Sequence, residues 1–110
     1  MIPEDWTYDE FLTFVMIYAS YADEEIYDEQ KELITNRVSE EKYNKLLNYF
    51  LKNTDAINIS LINEIKGEYL KSEDEVKNLL NTVFDTIRSN GFVNKQEKEM
   101  YDNLKFILEM

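Results

Sequence analysis

The sequence predicts an all-α protein, a compact bundle of about six helices in which two helix-elbow-helix units repeat around a central apolar helix. Three observations carry that expectation. Glycine occurs only at Gly67 and Gly91 and proline only at Pro3, too few turn formers for a fold of many short strands. Hydrophobic residues make up 44% and aromatics 14% of the 110 residues, enough to bury a core in spite of the charge. Apolar side chains recur at helical spacing behind cap residues in almost every segment. A chain of this length is expected to form one helical domain, 1–110.

Each helix has its own signals. Thr7 and Glu10 stand at capping-box spacing, and Phe11, Leu12, Phe14, Val15, Ile17, Tyr18, Tyr21 and Ala22 are apolar around nearly the whole circumference. Such a helix belongs at the centre, surrounded by the others. Asp28 is placed to cap a second helix carrying Leu33, Ile34 and Arg37, and Ser39 a third with Tyr43, Leu46, Leu47, Phe50 and Leu51. Both connections are short, so these helices are neighbours. The stretch AINISLINEI fits two patterns: Ile57, Ile59 and Leu61 alternate as in a strand, while Leu61, Ile62, Ile65 and Tyr69 follow a helical stripe. With no partner strand in sight, a helix is expected. Ser72 and Glu75 make a further capping box ahead of Val76, Leu79, Leu80, Val83, Phe84 and Ile87. Asn90-Gly91 stops that helix, and Asn94 with Glu97 opens the last, carrying Met100, Tyr101, Leu104 and Leu108.

Net charge is −11, and its distribution is uneven. Residues 1–32 hold ten acids against the single base Lys31, whereas the rest of the chain is nearly balanced. A negative field concentrated at one end opposes direct nucleic-acid binding and favours a cation or a basic protein surface. The absence of cysteine excludes disulfides, thiolate metal sites and cysteine nucleophiles. No basic segment precedes a hydrophobic one, and the uncharged run Phe11–Ala22 falls short of the roughly 20 residues of a membrane span. A cytoplasmic protein that does not insert into membranes is the resulting expectation. With no histidine, no cysteine and no Gly-rich phosphate loop, nothing points to an enzyme, and no catalytic residue is nominated.

The segment FVMIYASYADEEIYDEQKELI aligns with TVFDTIRSNGFVNKQEKEMY, so that Asp23 meets Asn90, Ile26 meets Val93, Asp28 meets Lys95 and Gln30 meets Glu97. Each half reads as helix, short polar elbow with one buried aliphatic residue, helix. A helix ending in Ala-Asp, an aliphatic residue three after the aspartate and an acid seven after it resembles the tellurite-resistance TerB-like family. The resemblance implies a compact all-helical fold with two such elbows, and a bacterial stress-response or membrane-associated setting. It also implies acidic elbow residues on which divalent-metal binding rests. Here the first elbow keeps Asp23 but has Glu24 at the glycine position and Gln30 at the second acid; the other keeps Gly91 and Glu97 but has Asn90 for the aspartate. Each elbow thus retains one of its two acids.

The residues ADEEIYDEQ at 22–30 have three readings. A calcium or magnesium site would draw on Asp23, Glu25, Asp28 and, if the elbows meet, Glu97; without a loop glycine it is no EF-hand. A docking surface for a basic partner would use Trp6, Asp9, Asp23, Glu24, Glu25, Asp28 and Glu29, the aromatic among acids suiting Lys and Arg. As plain architecture, Asp28 caps its helix, Gln30 and Glu97 reach back to the loop amides, and Trp6 staples one end of the bundle. Three functions stay open: a non-enzymatic interaction module, a small acidic inhibitor of a basic toxin or nuclease, and a divalent-metal sensor.

Overall fold

The computed structural model describes residues 6–23, 25–89, 91 and 93–109. Pro3, Glu24, Asn90 and the Asp23 side chain, all named above, lie outside that description. The described residues form six α-helices and no strand: α1 Tyr8–Ser20, α2 Asp28–Thr35, α3 Glu40–Lys52, α4 Asp55–Tyr69, α5 Glu73–Ile87 and α6 Lys95–Leu108, with a 3-10 turn at Tyr21–Asp23.

α1 is the axis of the bundle. Its residues from Phe11 to Ser20 are all buried, and it packs against each of the other five helices. The unbroken apolar circumference read from the sequence has this as its cause: every face of α1 has a neighbour. Around it, Ile34, Tyr43, Leu46, Phe50, Leu61, Ile62, Ile65, Leu79, Leu80, Val83, Ile87, Leu104 and Leu108 close one continuous core. One end is aromatic. Trp6 stands 5.0 Å from Phe14 and 6.1 Å from Tyr49, ring to ring, and its carbonyl accepts the Tyr69 hydroxyl, while Phe11 stacks on Tyr69 at 5.0 Å. Trp6 thus reaches past the next turn to the second and closes that end, as the staple reading required in outline.

The caps follow local chemistry. Thr7 and Glu10 form the expected reciprocal box, Ser39 accepts from the Lys42 amide, and Asn94 and Glu97 form a second full box. Three expectations need correction. Asp28 is the first residue inside α2, not its cap; the cap position belongs to Tyr27, whose amide donates to Gln30 Oε1 at 3.0 Å. Arg37 lies beyond the end of α2 at Thr35. At α5 the Ser72 hydroxyl accepts from Glu75, but the Glu75 carboxylate takes the amide of Lys71 rather than that of Ser72, so this box closes one residue early. Gly91 has φ of +102°, a conformation L side chains rarely adopt, which lets the chain reverse after α5.

AINISLINEI is helical, within α4. The mixed pattern has a specific origin: Asn58 faces inward while Ile57 is exposed. Asn58 earns its place by donating to the Phe50 carbonyl at 3.1 Å and accepting from Asn53 at 3.0 Å, which ties α4 to the end of α3.

Candidate functional site

The two elbows meet. α1 ends at Ser20 with Tyr21 as its C-cap, and α5 ends at Ile87 with Arg88 in the same role. Sixty-seven residues separate each pair, the same offset that aligns Tyr27 with Asn94 as helix N-caps and Gln30 with Glu97 three residues into their helices. Ile26 and Val93, the aliphatic residue of each elbow, both pack partly buried against the core. The repeat seen in sequence is therefore a repeat of structure.

At its centre Gln30 and Glu97, both fully buried, bond directly: Gln30 Nε2 donates to Glu97 Oε2 at 2.6 Å. The remaining capacity of both side chains is also used. Gln30 Oε1 accepts from the Tyr27 amide, and Nε2 donates a second hydrogen to the Ile87 carbonyl at 3.0 Å. That carbonyl lies in the last turn of α5, where helix carbonyls have no partner of their own. Glu97 Oε1 accepts from the Asn94 amide at 3.1 Å. The two positions are not interchangeable. Gln30 must accept at one end and donate at the other, which only an amide does; Glu97 accepts at both oxygens, which only a carboxylate does. The expectation that both side chains reach back to the loop amides is met, and their mutual bond comes in addition.

This geometry bears on the metal reading. Glu97 has both oxygens engaged and no exposure to solvent, whereas Glu25 and Asp28 are exposed. Among the described residues no group of three or more acidic side chains is arranged to hold a metal ion. Asp23 contributes its backbone to the 3-10 turn. Of the four, Glu97 is a buried, hydrogen-bonded carboxylate, Glu25 and Asp28 are exposed, and the Asp23 side chain lies outside the described residues.

The docking set divides differently. Trp6 and Asp9 stand at the start of α1, and Glu25, Asp28 and Glu29 at the elbow beyond its other end, about 17 Å away along the helix axis. α2 runs back between them: Arg37, just past it, acts on the Tyr8 hydroxyl. Burial pushes that hydroxyl up, Arg37 opposes the shift, and Glu75 and Asp9 add to it. Along α2 and its elbow Glu25, Asp28, Glu29 and Glu32 are exposed, and none of them has a salt-bridge partner among the described residues. The one base on α2, Lys31, turns the other way, to Glu40 at 3.5 Å and over the Tyr43 ring. The outward face of α2 is left uniformly acidic around a partly exposed Leu33.

The Ser20 hydroxyl is buried at the end of α1 with no hydrogen-bond partner among the described residues, and a serine closing an apolar helix carries no signal that distinguishes it. No family model, curated protein or solved structure matches the chain. No helix among the described residues is long and apolar enough to cross a membrane.

Proposed function

We propose that this protein is a non-enzymatic helical interaction module that engages a basic protein surface through the outward face of α2 and its elbow. The observation that supports this reading is charge segregation: four exposed acids without salt-bridge partners among the described residues, with Lys31 drawn away to Glu40. Exposed carboxylates in such a row gain little from the protein itself and steer a positively charged partner toward this side. Complementary charge of this kind raises the association rate and sets orientation. On the resemblance carried by the elbows, the setting of such a module is a bacterial stress-response or membrane-associated complex.

The same one-sided charge supports a second reading, an acidic inhibitor that covers a basic toxin or nuclease. The two differ in strength and partner: an inhibitor holds one folded basic protein tightly, whereas a module also takes basic segments weakly.

The test is an NMR titration of the labelled chain with a lysine-rich peptide at low and high salt. Shifts confined to residues 25–33, lost at high salt and lost in Glu29→Lys with Glu32→Lys at unchanged Tm, are expected. Shifts that persist in that variant, or that map to α3 and α4, would reject the acidic face as the docking surface.

A further inference from the structure

We propose that α2 and its elbow form a detachable strap, which leaves the bundle while α1, α3, α4, α5 and α6 remain folded. The anchoring of α2 carries this, whichever partner α2 has. Of its eight residues only Gln30 and Ile34 are buried, and only one of those is apolar. No other residue of α2 is among the partly buried hydrophobics that pack on the core, whereas α3 adds Leu47 and Tyr49, and α6 adds Met100 and Tyr101. The elbow adds one apolar attachment, the partly buried Ile26, and Lys31 lies over the Tyr43 ring; the other attachments named here are polar. Gln30 holds the Ile87 carbonyl and Glu97, and the Lys31 to Glu40 pair is solvent-exposed.

Polar attachments of this kind are the ones water replaces. On release, the Tyr27 amide, the Ile87 carbonyl and the Glu97 carboxylate all gain solvent, so each lost bond costs only its modest net contribution rather than its full strength. What opposes release is chiefly the burial of Ile34 and the partial burial of Ile26 in the elbow. α2 is also too short to persist as a free helix, since isolated helices need roughly 12–15 residues, so the detached strap becomes coil and gains chain entropy. Elements with few buried apolar contacts are those that open below the global unfolding free energy. Opening uncovers the seat of Ile34 on the bundle and turns Glu97 from a buried carboxylate into an accessible one.

The experiment is residue-resolved hydrogen exchange on the unmodified full chain across low denaturant concentrations, with rates corrected for intrinsic exchange. Amides 31–35 are expected to exchange at least ~10-fold faster than the slowest amides of α1 and α5, with little dependence on denaturant. Ile34→Val and Gln30→Ala should each speed exchange in 31–35 further while leaving the α1 amides unchanged. The proposal is overturned if amides 31–35 share the rate and denaturant slope of α1, or if either variant accelerates every helix alike.

Discussion

Gln30→Glu tests the central contact directly, because it changes one atom type between three fixed partners. The variant keeps the bond from the Tyr27 amide but sets oxygen against oxygen at the Ile87 carbonyl, 3.0 Å away, and at Glu97 Oε2, 2.6 Å away. Two unit charges about 4 Å apart repel by about 4 kcal/mol at an effective dielectric constant near 20. Two acceptors left without donors add about 1–3 kcal/mol each. Small movements and uptake of a proton relieve part of this, leaving a net loss of about 3–5 kcal/mol at neutral pH. For a domain of this size that lowers Tm by at least roughly 12 °C. The pH dependence has a definite sign. Paired carboxyls share a proton when like charge is confined, so the affinity for that proton is raised in the folded variant. Its stabilising effect is present at low pH and lost as pH rises through the titration of the folded pair. Thermal melts of both proteins between about pH 7 and pH 4.5 should therefore show the gap between them narrowing in acid. A variant that melts with the native protein at neutral pH, or a gap that is constant with pH, would refute the buried pairing of Gln30 with Glu97.

Two further sets of variants probe the scaffold. Neither glycine has a heavy atom within 4 Å of where a Cβ would stand, but only Gly91 has a positive φ, +102°. Gly91→Ala should thus destabilise by about 1–2 kcal/mol through backbone strain alone, whereas Gly67→Ala, inside α4, should stabilise by about 0.5–1 kcal/mol; denaturation midpoints shifting the same way for both would contradict this. Burial, with a smaller contribution from Asp55, pushes the Tyr18 hydroxyl up to about 12 from 10.0. The folded value exceeds the unfolded one, so a contribution of about 2–3 kcal/mol is complete below pH 10 and disappears as pH rises through 12. Tyr18→Phe should move alkaline unfolding, followed by circular dichroism, to higher pH; an unchanged midpoint would show that Tyr18 is not the group being titrated.

What the sequence made legible was local. The boxes at Thr7 and Asn94 close within four residues, so spacing alone was sufficient, and the uncharged run of α1 announced its central place. The reading of Asp28 as a cap failed because acidic side chains are common caps, while the fixed point here is Gln30, which reaches back three residues to Tyr27 and not two to Asp28. α4 was ambiguous because its inward polar residue, Asn58, answers a demand made by the end of α3, which no periodicity encodes. The alignment of Gln30 with Glu97 was visible as a pattern. That the aligned pair touches required two segments 67 residues apart to face each other across the repeat, and that is a property of packing. For the same reason Gln30 and its acidic neighbours read as one elbow in sequence, whereas Gln30 turns inward to Glu97 and Glu25, Asp28 and Glu29 stay exposed.

The position of α1 in the chain has a consequence for biosynthesis. It is translated ahead of every helix that covers it, and α5 and α6, which close two of its sides, follow some 60 to 90 residues later. At roughly 5–20 residues per second, an almost wholly apolar segment waits on the order of 5–20 s before its last neighbours exist. During that time the sides of α1 that α5 and α6 cover stay open to water, and a chain cut short before α5 would keep them so, an exposed apolar surface that favours aggregation.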